Sequence, residues 1–157
     1  MFGLLEHSVI GPCLEFGAWN LTFRYGEYMD RIAIVGIGMT KQERRKEAET
    51  FSDMVFEAAT MALNDAEMTI QDIDNIVTGC NDFWDGRTIS SMAVGDAPGA
   101  CDKNISCVER DGTFEVLYGL TRILSSSYRN TLVTAHSKGS ESISSLITNA
   151  MFDPIYS

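Results

Sequence analysis

An α/β fold, in which strands and helices alternate around a parallel sheet, is what this sequence predicts, and three observations predict it. A β-branched apolar run, IAIV at residues 32–35, leads into glycines; an amphipathic stretch follows over residues 50–68; a second apolar run, NIVTG at 75–79, then returns. Strand, helix, strand in that order is a βαβ unit, whose two strands run parallel.

Taken in order, residues 1–28 are rich in aromatics and glycine and hold neither the period of two nor that of 3.6, so no element is assigned to them. Met29 reads as a natural start, and residues 1–28 as an extension foreign to the domain at 29–157. MDRIAIVGIG is then a charged lead into a buried strand. In TFSDMVFEAATMALNDAEM, Met54, Val55, Ala58, Ala59, Ala62, Leu63 and Ala66 share one helical face, with Thr50 or Ser52 as N-cap. Residues 69–74 suggest a short capped turn, and NIVTG is the second strand. CNDFWDGR reads as a loop, and TISSMAVGDAPGA as a short helix ending in a Pro98-Gly99 turn. KNISC is the third strand. GTFEVLYGLTRILSSS sets Phe114, Leu117, Tyr118, Leu120, Thr121 and Leu124 along a broad apolar helix, and NTLVTAH is the last strand. The tail from Ser140 reads as loop and short helix.

The bulk composition narrows the function. With 157 residues, 45% hydrophobic content and 22 acidic against 12 basic residues, the chain is one globular domain of net charge -10. Such acidity excludes nucleic acid as a natural partner. It also disfavours the phosphates of coenzyme A unless Lys41, Arg44, Arg45 and Lys46 reverse the local field. No apolar run reaches the roughly 20 residues of a membrane helix, and no secretory signal is evident. Cys13, Cys80, Cys101 and Cys107 form no CxxC pair, and His7 and His136 lie far from them, so no metal site is expected and a reducing cytoplasm fits best.

Cys107 is the residue on which chemistry is placed. It falls between an apolar run and the long helix, so its thiol is expected at or just before a helix N-terminus. There the dipole and free N–H groups stabilise a thiolate, while Glu109 and Asp111 oppose this. A cysteine in such a place also serves simply as a small buried hydrophobe. GIGMTK at 36–41 looks like the start of a dinucleotide loop, but Lys41 stands where the third glycine belongs, and glycines that let a strand turn suffice. Asp82 and Asp85 flanking Trp84 suggest a carboxylate pair, against which stands a packed surface loop.

IAIVGIGMT, the helix ending in NDAEM, IDNIVTGC, DAPGA with NISCVERDGTF, and NTLVTAHSKGSES resemble, in order and spacing, the N-terminal half of thiolases over residues 30–157. The likeness is to the sterol-carrier-protein type and to archaeal and bacterial acetyl-CoA acetyltransferases that work with a small zinc-ribbon, OB-fold partner. It implies a layered fold with a mixed, mostly parallel sheet and helices on both faces. It further implies Cys107 as catalytic nucleophile, an acyl-cysteine intermediate and a coenzyme A thioester as substrate, with no other cofactor. Three positions depart from the family pattern: Glu67, where a glycine usually follows the first helix; Arg110, at a motif glycine; and Glu115, where a small residue packs. The family's Gly-Gly-x-Glu loop is replaced by AHSKGSE, which makes His136 and Lys138 candidates for substrate-pocket lining, although a histidine at a strand end also serves packing. The family draws its bases and oxyanion donors from a C-terminal half, so little activity is expected from this chain alone. An exposed apolar face is expected too, covered by a homo-oligomer or by a subunit supplying that half. The competing expectation is a non-catalytic acyl-CoA- or lipid-binding or assembly module on the same fold.

Overall fold

The computed structural model describes residues 2–7, 19–25, 28–85, 90–109, 112–139 and 143. The strands are β1 (Phe2–His7), β2 (Trp19–Tyr25), β3 (Tyr28–Gly38), β4 (Asn75–Cys80), β5 (Asn104–Glu109) and β6 (Asn130–His136). The helices are α1 (Phe51–Asp65), α2 (Asp82–Asp85), α3 (Ser90–Val94) and α4 (Gly112–Leu124), with a 3₁₀ turn at Ile70–Asp72. All six strands form one mixed sheet in the order β2-β3-β1-β6-β4-β5. The three strands β6, β4 and β5 are mutually parallel, while β2, β3, β1 and β6 pair antiparallel in turn.

Two strands thus arise where the sequence period assigned none. Short apolar segments such as FGLL carry too few residues to show a period, and they become strands because neighbouring strands satisfy their backbone. β1 pairs with β6 on one side and β3 on the other. Consequently β3 and β4, the two strands of the expected βαβ unit, run in the same direction but are separated by β6 and β1. The β1–β3 register jumps between Leu4 and Leu5, which face Gly36 and Ile34; Val35 is the extra residue of a bulge.

Helices cover both faces, because alternate residues of the central strands point to opposite sides. Val77 and Val133, paired in register, join Ile32 and the α4 residues Leu120 and Ile123 in one buried cluster. Their neighbours Ile76 and Leu132 face the other way, into a cluster with Ala59 of α1 and Ile73. α1 begins where predicted. Thr50 is its N-cap in a reciprocal capping box, its Oγ1 accepting from the Asp53 amide at 3.2 Å while Asp53 Oδ2 accepts from the Thr50 amide at 2.8 Å. The helix buries Phe51, Val55, Ala58, Ala59 and Ala62.

The glycines of GIGMTK do neither of the jobs weighed for them. A Cβ on Gly36 would lie 2.3 Å from the Ala62 carbonyl oxygen, and one on Gly38 would lie 2.1 Å from that of Ala58. They let β3 press directly against α1, and β3 runs straight through them rather than turning.

Candidate functional site

The carboxyl-terminal ends of the parallel strands bring the predicted residues onto one edge of the sheet. Cys80 is paired with His136 on β6 and with Glu109 on β5, and Thr78 with Cys107. Paired residues share a face, and so do residues two apart, so Cys107, Cys80 and His136 all lie on the face covered by α1. Open α/β sheets generally place ligands outside this edge.

His136 is buried. Its ring meets Phe51 edge-on, with centroids 5.3 Å apart and planes at 72°, and its Nε2 is 2.9 Å from Ser90 Oγ. Ser90 in turn gives both of its donors to Asp82: the amide to Oδ2 at 2.9 Å, and the hydroxyl to Oδ1 in a short hydrogen bond. Ser90 Oγ thus lies between the Asp82 carboxylate and His136 Nε2, and His136 is tied to a buried Asp82–Ser90 pair.

Lys138 is also buried and turned inward. Its Nζ donates to the Glu49 carbonyl at 2.6 Å, and its amide to Asp85 Oδ1 at 3.1 Å, an oxygen that also accepts from Ser137 Oγ at 2.8 Å. DFWD is accordingly the short helix α2 rather than a surface loop, and Asp82 and Asp85 are 7% and 2% exposed. Both aspartates fix backbone and side chains around the strand ends, a role that the alternation of polar and aromatic residues in CNDFWDGR did not disclose.

Cys107 is placed differently from the sequence-based expectation. It is the fourth of six residues in β5, and the first residue of α4 is Gly112. The intervening Arg110 lies outside the described residues, as does Asp111. Cys107 is therefore a strand residue and not the residue that opens α4. It is exposed, and its Sγ lies 3.9 Å from that of the buried Cys80. Burial pushes the Cys80 thiol up to about 12, with the nearby Cys107 and Asp82 adding to the rise and a hydrogen bond with Ser90 opposing it.

The basic segment expected to meet phosphates follows β3 onto this same edge. Its charges are largely answered from within: Lys41 pairs with Glu43 at 2.9 Å, Arg45 with Glu47 at 3.6 Å and Lys46 with Glu49 at 2.6 Å. The Lys41 ammonium holds the Glu43 carboxyl below its usual range, and Glu49 holds the Lys46 ammonium above its own. A cavity of about 560 Å³ lies at the opposite edge, lined in part by Asp74, Lys103, Tyr128 and Arg129, and so does not serve Cys107. Among the described residues no group of three or more His, Cys, Asp and Glu is arranged to hold a metal, and no helix is long and apolar enough to cross a membrane.

Glu67 and Glu115 are accommodated by local geometry. Glu67 has φ 54° at the end of α1, the left-handed conformation that glycine adopts freely. Glu115 is fully buried on the inner side of α4, facing β4 at Gly79. The outer side of the same helix leaves Phe114, Leu117 and Tyr118 at 48%, 49% and 38% exposure, the last two lying one turn after Phe114.

No family model matches the chain, and no curated protein matches it in sequence. Among solved structures it is similar to 3-oxoacyl-[acyl-carrier-protein] synthase III from Aquifex aeolicus VF5, with a TM-score of 0.54 and 20% identity. That likeness covers 67% of this chain and 35% of the synthase chain, so the protein spans about a third of the enzyme it resembles. The shared architecture is the thiolase-like α/β fold with its mixed sheet and flanking helices.

Proposed function

We propose that the chain is the cysteine-bearing part of a thiolase-fold acyltransferase, in which Cys107 takes an acyl group from a coenzyme A thioester. The observation that carries this reading is the placement of an exposed Cys107 thiol at the carboxyl edge of the parallel strands, on one face with Cys80 and His136, in a fold shared with an acyl-transferring synthase. Attack of the thiolate on the thioester carbonyl forms the acyl-cysteine and releases the coenzyme A thiolate. His136, its Nε2 hydrogen-bonded with Ser90, and Lys138, tied to the Glu49 carbonyl, frame the edge where the acyl group would sit. The chain spans only about a third of the synthase, and catalysis needs base and oxyanion groups worth several orders of magnitude in rate. The reading therefore needs those groups from outside the described residues, and the exposed Phe114, Leu117 and Tyr118 of α4 offer an apolar surface for whatever carries them.

One observation favours a second reading, a non-catalytic acyl-thioester-binding or assembly module. The helix start nearest the thiol carries Gly112, not cysteine, and Cys107 lies within strand β5.

Intact-mass analysis after brief exposure to acetyl-CoA or acetoacetyl-CoA, with Cys107→Ala as control, separates the two. An acyl adduct that vanishes in the variant supports the transferase; a folded chain that binds the thioester without adduct supports the module.

A further inference from the structure

We infer that Cys80 and Cys107 form an oxidisable dithiol, a modification site that closes to an intramolecular disulfide when Cys107 meets a hydroperoxide. The two sulfurs are 3.9 Å apart on neighbouring parallel strands and on the same face of the sheet. One is exposed and the other is buried behind it. An oxidant therefore reaches Cys107 first, and among the described residues Cys80 is the thiol in contact with it. Of the thiols described, Cys101 is exposed and lies on the turn before β5, outside this contact.

The chemistry balances with a hydroperoxide as sole oxidant. The Cys107 thiolate attacks the terminal peroxide oxygen, the O–O bond breaks and the alkoxide leaves as alcohol after taking a proton, so that Cys107 becomes a sulfenic acid. The Cys80 sulfur then attacks Cys107 Sγ; the S–S bond forms, the S–O bond breaks, and hydroxide leaves as water with the Cys80 thiol proton. Two thiols and one peroxide give one disulfide, one alcohol and one water.

The register also sets the character of the bond. Cys80 faces Glu109, two residues beyond Cys107, and such a diagonal pair has Cα atoms about 7–8 Å apart. An unstrained disulfide prefers no more than about 6.8 Å. Closing the bond therefore needs β5 to move toward Cys80, and among the described strands β5 is paired on one side, by β4. A bridge made under strain is readily reduced, so the modification is reversible and, while present, removes the Cys107 thiol from any acyl transfer.

The test is titration of the full chain with hydrogen peroxide, followed by intact mass and peptide mapping without reduction. The expected product is a loss of about 2 Da, with the Cys80 and Cys107 peptides cross-linked, reversed by glutathione and unchanged in Cys101→Ser. In Cys80→Ser the same treatment should instead add about 16 or 32 Da at Cys107. Overoxidation of Cys107 in the unmodified chain with Cys80 left as thiol, or a bridge from Cys107 to Cys13 or Cys101, would overturn the inference. Because the readout involves no thioester, failure here leaves acyl transfer untouched, and failure of acyl transfer leaves this site standing.

Discussion

The carboxylate of Glu115 occupies the space that a side chain at Gly79 would need: a Cβ built there would fall 1.9 Å from Glu115 Cδ. Helix α4 thus reaches the sheet through a polar group, and the bare backbone of Gly79 makes room for it. Gly79→Ala should destabilise the chain by about 1–3 kcal/mol, the usual cost of overpacking a core. The double variant with Glu115→Ala should lose less than the sum of the two single changes, a coupling read from chemical denaturation. Additive losses would mean that the two positions do not meet.

At the end of α1, Glu67 holds a left-handed backbone while its amide donates to the Asn64 carbonyl at 3.1 Å and that of Met68 to Leu63 at 2.9 Å. The turn is formed; only the Cβ is out of place. Glu67→Gly should raise stability by about 0.5–1 kcal/mol, the relief of a left-handed side chain less the entropy glycine adds to the unfolded chain. A higher urea midpoint with an unchanged slope is the expected record.

Two capped turns predict the acid response. Hydrogen bonds from Thr50, first from its amide and then from its hydroxyl, hold the Asp53 carboxyl below its ordinary 3.8, and Thr69 does the same for Asp72. A carboxyl with a depressed folded value binds fewer protons folded than unfolded, so its contribution is complete above about pH 4 and is lost as pH falls below 3.8 through the lower folded values. Replacing Asp53 and Asp72 by asparagine should flatten the stability profile in that acid window and leave its shape near neutrality alone. Thermal melts across the window provide the check.

Cys80 predicts the alkaline counterpart. Its thiol is raised from 9.0 to about 12, so the folded state keeps a proton that the unfolded state gives up. Stability from this source is complete below about pH 9 and declines as pH rises toward 12. Iodoacetamide at pH 8 should label Cys107 and Cys101 in the native chain and Cys80 only after denaturation, as counted by mass. Native labelling of Cys80 at the rate of Cys101 would refute the burial argument.

Much of this architecture is legible before any coordinates. IAIV, NIVTG and NTLVTAH are apolar and β-branched enough to specify strands, and the Thr50–Asp53 pair marks a helix start within a residue. What escaped has physical reasons. β1 and β2 depend on partners far along the chain, which no local period reports. The aspartates of CNDFWDGR look like loop residues because their acceptors are spent on Ser90, Ser137 and Lys138, all distant in sequence. Cys107 reads from the sequence as the last residue of the strand KNISC, at a helix start, but strand pairing with β4 carries β5 on to Glu109, two residues past the cysteine. Cys80, its nearest sulfur, was hidden for the same reason: a diagonal contact depends on register.

The position of β1 has a bearing on how the molecule is made. Gly3 ends up beside Val133, which is synthesised 130 residues after it. Until β6 has been synthesised, β1 has only β3 to hold, and the half-built sheet presents an open antiparallel edge. Closing so distant a contact is slow compared with forming the local hairpin of β2 and β3. The sheet is therefore sealed in its middle, at the β1–β6 seam, late in folding, and conditions that slow synthesis or raise chain concentration prolong the interval in which another chain can take that place.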